Sequence, residues 1–94
     1  MHFVYVIRSK IDNSFYIGRT SDLIARLEFH NSRTKNTGTT RSKIPWDYFY
    51  MLEVKDSKIA GKIEKHIKKM KSRTYIHNLR RYPEIARELI KKYS

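Results

Sequence analysis

The chain has no cysteine among its 94 residues. Disulfides and thiolate zinc sites are thereby excluded, which suits a reducing compartment. Acidic residues are scarce: nine Asp and Glu stand against 21 Lys and Arg, a formal charge of +12. Such an excess on a small chain points to a polyanion, because Lys and Arg displace condensed counterions from phosphates. A basic structural protein, such as a ribosome-associated factor, would account for the charge equally well. No apolar run approaches the roughly 20 residues that span a bilayer, so no membrane is expected as partner. The opening MHFVYVI lacks the cationic lead-in and small-residue cleavage site of a signal peptide. The expected location is therefore the cytoplasm, on the nucleoid if the cell is bacterial. With three Gly, two Pro and no linker-like stretch, residues 1–94 are expected to form one domain around one modest core.

What is present reads as a small α/β (α+β) fold. Phe3 to Ile7 is rich in β-branched and aromatic residues on both alternating faces, the pattern of a buried central strand. Asp12-Asn13-Ser14 is turn chemistry, and Phe15-Tyr16-Ile17 resumes the strand, with Gly18 expected to end it. Thr20-Ser21-Asp22 offers caps for a first helix over residues 22–31, with Arg26 and His30 one turn apart on its flank. Ser32 to Lys43 is polar without a core pattern and reads as a mobile loop. Trp46 to Val54 reads as the third strand, despite imperfect alternation. Asp56-Ser57 then caps an amphipathic helix with Ile59, Ala60, Ile63, Ile67 and Met70 on one stripe, and lysines over much of the rest. TYIHNLRR after Arg73 reads as an irregular link, and Pro83-Glu84 starts a last helix. The order is β-β-α-β-α-α, a three-stranded antiparallel sheet packed by helices.

Taken singly, the polar residues of this pattern are ordinary. A strand tyrosine is usually a packing residue with a wet hydroxyl. His30 has no second histidine at ligand spacing beside it, so it is no metal ligand on this reading. Glu64 lies at the edge of the apolar stripe of a lysine-rich helix, where an inward carboxylate needs a partner. Lys68 at i+4, an arginine or a metal ion would each serve.

In combination they are more specific. Phe3-Val4-Tyr5, then Tyr16-Ile17-Gly18 ten residues on, then Arg26, His30 and a helical Glu64: this spacing resembles the GIY-YIG nuclease family. Gly18 to Asn31 (GRTSDLIARLEFHN), Thr40-Arg41, and Ala60 with Glu64 and Ile67-Lys68-Lys69 extend the likeness to its small stand-alone members. The first tripeptide departs from the family pattern, with Phe3-Val4 in place of glycine and isoleucine. The resemblance covers residues 3 to 73. It implies a metal-dependent endonuclease that hydrolyses DNA phosphodiesters by structure rather than sequence, in repair or recombination. The same fold used as a non-catalytic nucleic-acid-binding module is the alternative. It further implies Tyr5 as base or water activator, Tyr16, Arg26 and His30 as catalytic partners, and Glu64 as the single protein ligand to Mg²⁺ or Mn²⁺. Arg19 would help ionise Tyr5. Arg19, Arg41, Lys68, Lys69 and Asn78 would contact phosphate or DNA. No second DNA-binding domain follows the nuclease-like unit, so targeting is expected from the basic surface, a homodimer or a partner protein.

Overall fold

A computed structural model describes all 94 residues. Three strands form one antiparallel sheet, β1 (His2–Ser9), β2 (Phe15–Thr20) and β3 (Trp46–Val54), in the order β2-β1-β3. There are four helices, one more than expected: α1 (Leu23–Asn31), α2 (Ser57–Met70), α3 (Arg73–Arg81) and α4 (Pro83–Tyr93). No helix is long and apolar enough to cross a membrane.

β1 is central, and both its faces are covered. Val4 and Val6 pack with Ile63 and Ile67 of α2, Ile76 and Leu79 of α3 and Leu89 of α4. Tyr5 and Ile7 point the other way, into a smaller cluster with Ile44 and Trp46, backed by Leu23 and Leu27 of α1. Each fully buried aliphatic side chain contributes roughly 1.5–3 kcal/mol of burial free energy, so the α2–α4 side holds most of the stability. The imperfect alternation of β3 has a local cause. Val6 pairs with Tyr50 and Ile7 with Tyr48, so Phe49 is an extra residue at a bulge. One residue more on the bulged strand reverses which face its neighbours take.

Side-chain caps set the helix starts. Asp22 accepts from Ala25 N–H, Asp56 from Ile59 N–H and Ser72 from Tyr75 N–H. Pro83 opens α4, its fixed φ suiting the first turn. Asn13 takes φ 61° in the β1–β2 turn, a left-handed conformation that asparagine tolerates better than most residues.

Three expectations are corrected. Gly18 does not end β2; the strand continues through Arg19 to Thr20. TYIHNLRR is no irregular link but, with Arg73, the helix α3, which buries Ile76 and Leu79. Two apolar residues three apart are enough to seat one face when a serine cap starts the helix. The 32–43 stretch is a largely exposed loop, as expected, but it is not without core contacts. Asn36 and Thr40 are buried, a 3-10 turn covers Arg41–Lys43, and polar side chains rather than apolar ones bind it to the core.

Gly18 is required for a different reason from strand ending. It sits opposite Tyr5 in the β1–β2 ladder, and a Cβ there would lie 2.6 Å from Tyr5 Cζ. Gly61 of α2 has only the end of the Arg19 side chain over it, which can swing away. The two glycines should therefore respond oppositely to alanine. Gly18→Ala should cost about 1–3 kcal/mol through overpacking, while Gly61→Ala should be neutral or gain up to about 1 kcal/mol of helix propensity. Urea denaturation of both variants checks this; equal losses would contradict the assigned contacts.

Candidate active site

The side chains of the Tyr5 cluster are brought together by three elements. Tyr5 projects from the middle of β1 across Gly18, fully buried. Arg26 and His30, one turn apart on α1, reach its hydroxyl from above. Arg26 Nε–H donates to Tyr5 Oη at 3.1 Å, and His30 Nε2 lies 2.8 Å from the same oxygen. The Tyr16 ring stands edge-on to the His30 ring at 5.1 Å between centroids, and the Tyr48 ring stands edge-on to Tyr5 at 5.7 Å. Tyr48 itself donates to the Leu23 carbonyl.

The network continues into the 32–43 loop, whose sequence carries no core pattern. His30 Nδ1 is 2.9 Å from Thr40 Oγ1. The Asn36 amide donates to Thr40 Oγ1 at 2.6 Å and to the His30 carbonyl at 2.9 Å. The Trp46 indole N–H fixes the Thr40 carbonyl at 2.8 Å. Arg26, Tyr5, His30, Thr40 and Asn36 thus form one chain, and no buried side-chain nitrogen or oxygen lacks a partner. The one hint in the sequence was Thr40-Arg41, noted for likeness rather than for a role. Asn36 gave no signal, because its function is to hydrogen-bond a backbone carbonyl six residues earlier in sequence.

The electrostatics follow from burial. Desolvation pushes the Tyr5 phenol up, and the Arg26 guanidinium opposes it only in part. Tyr48 is pushed up to about 12, again mainly by burial. His30 is held down at about 4, first by burial and then by the nearby Arg26 charge. At neutral pH His30 is therefore uncharged and carries one ring proton. Two arrangements satisfy the chain. Tyr5 O–H can donate to Nε2 while Nδ1–H donates to Thr40. Alternatively Thr40 O–H donates to Nδ1, and Nε2–H donates to Tyr5 Oη. The second leaves the tyrosine proton free to move outward, with two donors facing the oxygen.

Glu64 approaches from α2, near enough that its charge raises the Tyr5 pKa. Its side chain is 17% exposed, with Lys68 Nζ at 2.7 Å and Arg19 Nε at 3.5 Å. Arg19 also donates to the Ser57 carbonyl. The cation acting on Tyr5 is thus Arg26, and Arg19 is engaged with Glu64 instead. The other candidates disperse. Arg41 is exposed and donates to the Arg33 carbonyl. Lys69 lines a cavity between α2 and α4 with His66 and Tyr93. Asn78 lines a cleft with Phe49, His77, Arg80 and Arg81, and no member of the Tyr5 network lines it.

No group of three or more His, Cys, Asp or Glu side chains is placed to hold a metal. A single accessible carboxylate over a polar cavity of about 210 Å³ remains, lined by Arg19, Gly61, Glu64, Lys65 and Lys68. A lone carboxylate suits a hard, hydrated divalent ion that takes its other oxygens from water and phosphate, but here Lys68 and Arg19 hold it, and an ion would have to displace both. Such a donor set does not fit a dedicated metal cage.

A small antiparallel sheet with a tyrosine on each of two neighbouring strands, an arginine and histidine on the next helix and a lone glutamate on a later one defines a domain of nuclease type. The chain belongs to the GIY-YIG family: the model of the GIY-YIG catalytic domain matches residues 1–80. It is also similar to UPF0213 protein YazA of Bacillus subtilis (strain 168), 33% identical over 86 residues that cover 88% of this chain and 85% of that protein. No solved structure matches it.

The depressed His30 pKa has a consequence for stability. A histidine held at about 4 in the fold and near 6.5 when unfolded stabilises fully above pH 6.5 and loses that contribution as pH falls toward 4. Urea unfolding at pH 7.0 and 4.5 should show wild type losing about 2 kcal/mol more than His30→Gln over that interval. Equal losses would mean His30 is not held neutral.

Proposed function

We infer that this protein is a divalent-metal-dependent endonuclease that hydrolyses phosphodiester bonds in DNA, selecting the strand by shape rather than sequence. The observation that carries this reading is the hydrogen-bonded chain Arg26–Tyr5–His30–Thr40, with Tyr16 against it and the Glu64 charge within reach of Tyr5. Residues 1–94 act as one domain, since all four helices close on one sheet.

Each side chain has a distinct task in this reading. The Arg26 guanidinium commits its Nε to Tyr5, and its outer edge holds the scissile phosphate and the charge that grows on it. Tyr5 would first give up its own proton, outward to solvent, and the phenolate Oη would then take the proton of the attacking water. As a phenolate it keeps two donors, Arg26 Nε–H and the His30 ring, while Thr40 and Asn36 fix the orientation of that ring. Tyr16, half-buried at the mouth, orients water or phosphate. Glu64 would hold Mg²⁺ or Mn²⁺, which when bound neutralises phosphoryl charge and stabilises the leaving oxygen. Freeing Glu64 for this means opening its pairs with half-exposed Lys68 and Arg19, each of which costs about 1 kcal/mol or less. Arg19, Arg41, Lys68 and Lys69 would contact DNA backbone from separate parts of the surface. Work in repair or recombination in the cytoplasm, on the nucleoid of a bacterial cell, with targeting by a homodimer or partner protein, is consistent with this role.

One observation favours a second reading, a nucleic-acid-binding module without turnover. Tyr5 is fully buried with its pKa raised, the reverse of an activated phenol.

Cleavage of labelled flap, branched, duplex and single-stranded DNA in Mg²⁺ or Mn²⁺ separates the two. Wild type should cut at least one branched form, and Glu64→Gln and Tyr5→Phe should each lose about 10²-fold or more in rate. Binding should stay within about threefold of wild type for Tyr5→Phe, since one neutral hydroxyl is worth about 1 kcal/mol or less in the ground state. Binding by wild type with no cutting on any substrate would establish the module instead.

A further inference from the structure

At the end of the sheet next to the β1–β2 turn, on the face opposite Tyr5 and Tyr16, a second cluster of polar groups has no part in the proposed chemistry. Phe15 of β2 and Phe49 of β3 touch, with ring centroids 4.9 Å apart. The Arg73 guanidinium lies over Phe15 at 4.4 Å, and those of Arg80 and Arg8 lie over Phe49 at 4.6 and 5.0 Å. His77 stands edge-on to both rings, at 5.6 and 5.0 Å. Arg73, His77 and Arg80 are spaced i, i+4, i+7 on α3, so one helical stripe supplies three of the four groups. Arg8 comes from β1, three residues beyond Tyr5, or about 10 Å along the strand.

None of the three guanidiniums has a carboxylate within ion-pair distance. Asp47, across the ladder from Arg8, is engaged by Lys10 instead. Stacking on a ring face accounts for one cation at each aromatic. It does not account for three positive charges gathered around two touching rings without an anion, an arrangement that costs electrostatic free energy in the free protein. Stacking holds each guanidinium in place, which lowers the ordering cost of gripping an oxyanion. Arg73 is held further by donating from Nη2 to the Asn13 carbonyl at 2.9 Å, with its other N–H groups left for an oxyanion. A cleft of about 390 Å³ opens beside Arg80, lined also by His77, Asn78 and Arg81. The aromatic faces are taken by arginine, so bases have no platform on which to stack.

The geometry points to a phosphate clamp: Arg8, Arg73 and Arg80, with His77 and Asn78 beside them, grip the sugar-phosphate backbone of a nucleic-acid strand outside the Tyr5 site. It rests on the nucleic-acid reading above and adds a second point of attachment to it. Side chains of Phe15 and Tyr16 leave the same edge strand on opposite faces, so a backbone crossing β2 meets the clamp on one side and the Tyr5 network on the other. Binding there is independent of base sequence, because only phosphate oxygens are recognised.

The test exploits the difference between arginine and lysine. In EDTA, so that no cutting intervenes, fluorescence anisotropy would measure a labelled single-stranded and a labelled duplex oligonucleotide against the full chain. Arg8→Lys/Arg73→Lys/Arg80→Lys keeps the net charge, yet it should bind about tenfold more weakly, because lysine neither stacks nor forks. Binding within twofold of wild type would overturn the clamp and leave the nucleic-acid reading intact. Failure of wild type to bind either oligonucleotide would overturn that reading, and the clamp with it. Should the triple variant not fold by circular dichroism, wild type alone decides. Arginine Nε–H resonances of Arg8, Arg73 and Arg80 should shift on adding oligonucleotide by NMR. Shifts confined to Arg26 and Arg19 would reject the clamp.

Discussion

Tyr5 can lie across β2 only because the residue opposite it, Gly18, has no side chain. That close approach fixes where the phenol oxygen sits, and three buried polar residues take their positions from it. His30 needs the oxygen as the partner of one ring nitrogen, and Thr40 supplies the other. Asn36 then closes the 32–40 segment back onto the His30 carbonyl. A buried chain of this kind is favourable only when every member is satisfied, since an orphaned donor or acceptor costs about 1–3 kcal/mol. The small cluster on this face of β1, four buried residues against ten on the other, cannot compensate for many such losses. The site and the segment that covers it are therefore one cooperative unit.

The same burial sets the chemistry. Water is excluded from Tyr5, so its proton stays on the phenol and His30 stays neutral. Arg26 is the only cation on Tyr5, and desolvation outweighs it. An incoming phosphate does not by itself lower the phenol pKa, because a negative charge raises it further. What favours the phenolate is any positive charge brought with the phosphate, which also offsets the Glu64 charge that now acts against ionisation. In the proposed role Tyr5 would be a base latent until substrate and cation arrive together, and would waste no turnover on water alone. In this light the ion pairs on Glu64 are part of the same logic: Lys68 and Arg19 neutralise the carboxylate while nothing else does.

How much of this was legible in the sequence depends on which force positions each residue. The strands, α1, α2 and α4 are set by apolar periodicity and caps and could be read from them, although β1 and β2 run beyond the limits read for them; β3 was legible despite its bulge because its aromatic density outweighed the broken alternation. Helix α3 was hidden because only Ile76 and Leu79 mark its buried face, among six charged or polar neighbours. Residues 32–43 were hidden because side-chain hydrogen bonds, which have no period, hold them in place. Tyr5, Tyr16, Arg26, His30 and Glu64 were found through their spacing, and the structure places the first four side by side with Glu64 at the edge. The roles of Arg19 and Asn78 were less legible, since each depends on which face of the sheet its neighbours occupy.

That two-faced sheet also bears on how so small a chain could hold a long polyanion. A single basic patch would attract a strand without orienting it, since phosphate contacts alone slide along the backbone. Two separate points, on either side of the outer strand β2, define a direction across it. Fixing direction matters when the phenol proposed to act on one phosphate is fully buried and hydrogen-bonded to two partners. The burial that keeps Tyr5 protonated is then the reason orientation would be supplied elsewhere. Arginines stacked on Phe15 and Phe49 are better suited to supply it than the freely rotating lysines that crowd α2.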